Sequence, residues 1–212
     1  MMAGRFITFE GGEGAGKSTQ ARLLAEALAE RGIQVELTRE PGGTAGAEAI
    51  RALLLDPPGD GWDARAEALL FAAARADHLA RRIVPALEAG KWVVCDRFLD
   101  SSRAYQGGAG GLDDADLMEL HRIGSGGILP DMTFLIEVSE DIASARLASR
   151  DQGRMDAIEG RDRTYHEKVG ETFRRLAMQA PERFVRIDGS GSLSQTHGQV
   201  MAALNRFEEL QR

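Results

Sequence analysis

Gly11-Gly12-Glu13-Gly14-Ala15-Gly16-Lys17-Ser18 decides how this chain is read. A glycine, four residues and then Gly-Lys-Ser is the pattern of a loop that cradles phosphate. In 212 residues with 25 glycines the chance expectation is about 0.003 matches, so coincidence explains it poorly. Its neighbours agree. Arg5-Phe6-Ile7-Thr8-Phe9 has the β-branched and aromatic content of a short strand. Beyond Ser18, the residues Leu23, Leu24, Ala27 and Leu28 recur at helical spacing. A glycine-rich turn between strand and helix offers backbone N–H groups and a helix N-terminus to phosphate oxygens. In that arrangement Gly11 to Thr19 would hold a nucleoside triphosphate, Lys17 would reach the outer phosphates, and the Ser18 hydroxyl would ligate Mg²⁺.

Outward from the loop, strand and helix patterns alternate. Ile33–Leu37 reads as a second strand, and 38–44 as a loop by its Pro41, Gly42 and Gly43. A helix is expected over about 45–55. A long one follows over about 64–89, with Pro85 as a possible kink. Lys91–Asp96 is a third strand, which would deliver Asp96 to the sheet edge for Mg²⁺ opposite the phosphate loop. Gly107–Gly111 reads as a flexible connection, and another helix begins at Asp113. Strands at 132–138 and 184–188, with helices near 142–150, 164–179 and 193–210, complete the pattern. Alternation of this kind predicts an α/β fold, an open parallel sheet with helices on both faces. Ligands should bind at the carboxyl ends of its strands. No repeat or internal domain boundary is visible, so one domain of 1–212 is expected.

Composition narrows the function. A hydrophobic fraction of 43% and a charged fraction of 28% are globular values. The net charge of −7 argues against a nucleic-acid partner, which would need a basic footprint. A single cysteine, Cys95, excludes an internal disulfide and a multi-cysteine metal site. His78, His121, His166 and His197 show no ligand spacing. No leader or long apolar run is present, so a cytoplasmic protein with no membrane association is expected.

Several segments together resemble the bacterial thymidylate kinases over nearly the whole chain. They are Phe9-Glu10 through Ser18-Thr19, Thr38-Arg39-Glu40-Pro41-Gly42-Gly43-Thr44, Leu70-Phe71-Ala72-Ala73-Ala74-Arg75, Asp96-Arg97-Phe98, Asp100-Ser101-Ser102 and Ala104-Tyr105-Gln106-Gly107-Gly108. The resemblance implies a five-stranded parallel sheet with a short mobile lid near 149–161. It also implies a homodimer and transfer of the γ-phosphoryl of ATP to dTMP with Mg²⁺. Phe71 would stack on thymine, with Arg75, Ser102 and Gln106 at the base and Tyr105 at the sugar. Arg97 and Arg51 would meet the acceptor phosphate, and Glu10 would lie near metal and sugar. Because Glu13-Gly14-Ala15 holds no arginine, the resemblance assigns the catalytic cation to the lid, to Arg150 or Arg154 rather than Arg161. Phosphoryl transfer agrees with this inventory, since it needs cations and in-line placement rather than a protein nucleophile. Read from its residues alone, Phe71 would be core.

A regulatory GTP-binding switch is the rival from another class. It would need Asn-Lys-x-Asp, yet the sole asparagine, Asn205, precedes Arg206. Asp56-Pro57-Pro58-Gly59 has the switch spacing but follows a helix instead of a strand. The other rivals are a kinase for a different small acceptor and a nucleotide-binding module without activity. Intact Lys17, Ser18, Asp96 and Arg97 speak against the last.

Overall fold

Phe6–Glu10 (β1) is buried on both faces and lies at the centre of the sheet. It pairs with Trp92–Asp96 (β3) on one side and Met132–Glu137 (β4) on the other. Val35–Arg39 (β2) and Phe184–Asp188 (β5) close the edges, giving the order β2-β3-β1-β4-β5 with every pairing parallel. Buried parallel strands of this type need helices on both faces. The computed structural model describes residues 4–150, 157–158 and 160–210, with the Arg150 side chain left out.

Strand alternation divides the core. Ile7 and Phe9 of β1 point with Val94, Phe134 and Ile136 toward Lys17–Glu30 (α1) and Leu193–Leu210 (α9), meeting Leu24, Leu28, Val200 and Leu204. Phe9 and Phe134 bring their rings to 5.0 Å there. Phe6, Val93 and Cys95 face the other way, against Phe98 and against Leu79 and Ile83 on the continuation of Ala64–His78 (α3). Thr8 and Glu10 share that second face, and Thr8 Oγ1 lies 2.8 Å from Thr133 Oγ1. The buried threonines satisfy each other, which keeps two hydroxyls in the sheet interior without a desolvation penalty.

The strands occur where the pattern puts them, with shifts that have local causes. β2 starts at Val35 because the Ile33 N–H is still used by α1, donating to Leu28 O. Ala45–Leu55 (α2) is capped by Thr44, whose hydroxyl accepts from Ala47 N, and α3 by Asp63. The expected helix over 64–89 is interrupted. Leu79–Ile83 winds as a π-helix, with Val84 N–H bonding Leu79 O, before Val84–Glu88 (α4). Pro85 has no N–H for an α-helical bond, so the ladder rearranges ahead of it.

The larger correction concerns Gly107–Gly111. It is not a loose connection. After Leu99–Ser102 (α5), residues Arg103–Ala109 form a second π-helix, with Tyr105, Gln106 and Gly107 buried. It packs against Arg163–Gln179 (α8) so closely that a Cβ on Gly108 would collide with Thr172. Glycine here serves close approach rather than freedom. Asp114–Ser125 (α6) and Glu140–Arg150 (α7) complete the described helices.

Candidate active site

The carboxyl ends of β1 and β3 lie side by side and open into a cleft of about 1070 Å³. The loop after β1 forms one wall. Gly11 and Gly14 have φ of 138° and 69°, and a Cβ at Gly14 would come within 2.6 Å of Ala143 O. Only glycine fits such a turn under a neighbouring backbone. Gly16, also left-handed, caps α1, whose first turn carries no acidic residue. Lys17 Nζ donates to Gly12 O at 2.6 Å, folding the lysine back over its own loop. Burial, joined by the nearby Arg97 charge, lowers the Lys17 ammonium to about 8.

Asp96 arrives from β3 beside Ser18, whose hydroxyl donates to Asp96 Oδ2. Asp96 Oδ1 is buried and has no hydrogen-bond partner among the described residues. A hydroxyl at the start of α1 beside an orphaned carboxylate oxygen at the end of β3 suits a hard divalent cation. Three-residue clusters of metal-ligating type do not occur among the described residues. That sparse donor set fits Mg²⁺, which is held by one or two side chains together with substrate phosphates.

Arg97 follows Asp96 with φ of 69°, an unusual left-handed conformation for a non-glycine residue. The turn aims its guanidinium back at the loop. Nη1 donates to Gly11 O and Ser101 Oγ, and Nη2 to Glu13 Oε1 at 2.6 Å and to Tyr105 Oη. Tyr105 Oη also donates to Glu13. Burial would raise the Glu13 carboxyl, but Arg97 and Lys17 outweigh it and hold it near 2. Although burial opposes charge on Arg97, Glu13 and the other acids keep it firmly protonated.

The opposite wall is built from α2, α3, α5 and the second π-helix. Arg51, Phe71, Ser102, Tyr105 and Gln106 line it, with Leu55 and Ile158. Arg75 lies just beneath, 4% exposed. Its Nε donates to Glu40 at 2.8 Å and its Nη2 to Ser102 Oγ and Phe98 O, whereas Nη1 carries no hydrogen bond among the described residues. Glu40 also meets His78, which contacts Thr38 Oγ1 at 2.7 Å. A chain of polar groups thus runs from β2 through α3 to α5, every member buried.

The family profile described as thymidylate kinase matches residues 9–200. A thymidylate kinase from Rhizorhabdus wittichii is 57% identical over 96% of this chain and 98% of that protein. One from a Bradyrhizobium species is 47% identical over 89% and 84%. The crystal structure of thymidylate kinase from Ehrlichia chaffeensis superposes with a TM-score of 0.78 at 35% identity, covering 95% of this chain and 99% of that one. This chain belongs to the thymidylate kinase family. Its five-stranded parallel α/β fold is the fold of that family.

Within this thymidylate kinase fold, most of the sequence-derived site residues converge on one cleft. Glu10 is one exception. Expected beside metal and sugar, it is fully buried and does not line the cleft. It accepts from Phe98 N, Ser101 N and Ser101 Oγ, so it holds the turn that carries Arg97 and α5. Burial and then Asp100 push its carboxyl up to about 7. Arg75 is likewise set behind the cleft surface. Arg154 lies outside the described residues. Arg161 is described, and it turns to Glu67 and Tyr165 instead of the phosphate loop. Sequence reasoning missed Arg146 of α7. Its Nη1 reaches Ala15 O and its Nη2 donates to Gly189 O, placing a cation beside the loop. Nothing in its helical spacing marks it out.

Proposed function

We propose that this cleft carries out the family reaction, transfer of the γ-phosphoryl of ATP to dTMP to give dTDP and ADP, with the loop 11–19 as donor site. The observation that carries the reading is the convergence of Lys17, Ser18, Asp96 and Arg97 on one side of the cleft with Phe71, Ser102, Tyr105 and Gln106 on the other. Phosphates entering the loop displace the internal bond from Lys17 to Gly12, and their charge favours the ammonium form that burial opposes. Lys17 then follows negative charge onto the leaving phosphate. Ser18 and Asp96 would hold Mg²⁺, which when bound neutralises phosphate oxygens. Arg97 exchanges contacts with Glu13 for the acceptor phosphate, and Arg51 faces the same side. No protein nucleophile is required, since the dTMP phosphate attacks directly and the residues orient and screen the two phosphates.

On the acceptor wall, Phe71 stacks on the base, Tyr105 lies against the sugar, and Ser102 and Gln106 meet base atoms. Arg75 acts from behind through Ser102 and its open Nη1. The lid expected near 149–161, of which 151–156 and 159 lie outside the described residues, would exclude water, and Arg150 or Arg154 would supply a further cation. We assign residues 1–212 to one domain. The protein works as a cytoplasmic homodimer. Leu53 of α2, Leu69 of α3 and Ile123 of α6 are exposed apolar residues on helices that offer such an interface, and no helix among the described residues is long and apolar enough to cross a membrane. A panel of nucleoside monophosphates with ATP and Mg²⁺ tests the reading. dTMP should be the best acceptor, and preference for AMP or for a nucleoside would refute the pocket assignment.

A further inference from the structure

Glu67 is a buried acid on α3 that the reaction does not use, and it touches the acceptor wall through Gln106. Gln106 Nε2 donates to Glu67 Oε1 at 2.8 Å. The other Glu67 oxygen, Oε2, accepts from Arg161, whose guanidinium also bonds the Tyr165 hydroxyl. Tyr165 Oη in turn donates to Tyr105 O at 2.8 Å. Gln106 is 2% exposed and lines the cleft, and its amide makes no other hydrogen bond among the described residues.

A carboxylate can only accept hydrogen bonds, and here Gln106 Nε2 donates to one Glu67 oxygen and the Arg161 guanidinium to the other. Glu67 therefore forces the Gln106 NH₂ toward itself. That leaves the amide oxygen as the acceptor Gln106 can offer to a ligand. Thymine presents a donor, N3–H, at the position where cytosine presents an acceptor, N3. A fixed acceptor suits the first and opposes the second. We infer that Glu67 is a positioning residue for base selection, locking the Gln106 amide so that its oxygen accepts from the thymine imide and rejects cytosine. This rests on the reading that Gln106 meets the base, and it deepens that reading by naming what orients the amide.

Glu67→Gln makes a sharp test because Arg161 still needs an acceptor. The new amide turns its oxygen to Arg161 and its NH₂ to Gln106, and Gln106 must then flip its own NH₂ into the cleft. kcat/KM is measured for dTMP and dCMP in the parent, Glu67→Gln, Gln106→Leu and the double variant, with thermal unfolding as a fold control. Leaving a buried polar group mismatched should lower dTMP use in Glu67→Gln roughly tenfold, with dCMP unchanged or improved. The dTMP:dCMP ratio then narrows at least tenfold. In the Gln106→Leu background, Glu67→Gln should change the ratio no further. Equal losses for both substrates, or full additivity in the double variant, would overturn the role of Glu67. A Gln106→Leu variant with parental discrimination would instead refute the contact between Gln106 and the base.

Discussion

The two walls of the cleft are made in different ways. The donor wall is mainly backbone in a glycine turn at the start of one helix, with the side chains of Lys17, Ser18, Asp96 and Arg97 added. The acceptor wall is side chain throughout, held by pairs among Glu40, Arg75, His78, Ser102, Gln106 and Glu67 that come from the loop after β2, α3, α5 and the second π-helix. A wall of backbone suits phosphate, which every nucleotide shares. A buried side-chain network suits a base, which must be told from other bases, because a mismatched partner leaves a polar group unsatisfied.

Damage to the donor wall should be the most severe. Lys17→Ala should lower kcat by about 10³-fold or more while leaving thermal unfolding nearly unchanged, since the cation acts mainly as charge moves in transfer. Steady-state kinetics with a melting curve checks this, and activity within a few-fold of the parent would break the donor assignment. An arginine of the lid comes next. Arg150→Ala or Arg154→Ala should lower the single-turnover rate strongly with little change in the dTMP dissociation constant. If both variants keep parental rates, Arg146, already beside the loop, becomes the cation to examine.

A smaller loss is expected on the acceptor wall. Phe71→Ala removes a stacking surface worth roughly 1–3 kcal/mol, so KM for dTMP should rise about 5- to 150-fold with KM for ATP held. The least effect concerns pH. Glu13 has a folded value near 2, below the ordinary 4.5. Ionised Glu13 therefore stabilises the fold above about pH 4.5, and that contribution is lost as pH falls toward 2. Urea unfolding of the parent and Glu13→Gln across that window should converge at the acid end, from a difference of at most about 3 kcal/mol.

The same contrast explains what the sequence could disclose. The donor loop is contiguous, and its glycines answer to backbone geometry, so the pattern from Gly11 to Ser18 carries its own meaning. Asp96 and the alternating strands were legible for the same reason. The acceptor wall is scattered over α2, α3, α5 and the second π-helix, and only the family resemblance brought Phe71, Arg75 and Gln106 together. Residues without a pattern stayed hidden. Glu67 is one more acid in a helix, and Arg146 one of 23 arginines, until the fold puts them against a neighbour. The glycines at 107–111 misled because the usual reading of glycine is freedom, whereas at Gly108 Thr172 leaves no room for a side chain.

The division of labour between the walls is tested most directly by Arg75→Ala. Calorimetric titration with dTMP and, separately, with a non-hydrolysable ATP analogue should show dTMP affinity reduced at least tenfold and analogue affinity within twofold of the parent. Equal weakening of both, or loss of the ATP analogue alone, would contradict an acceptor wall built on the Glu40–Arg75–Ser102 network.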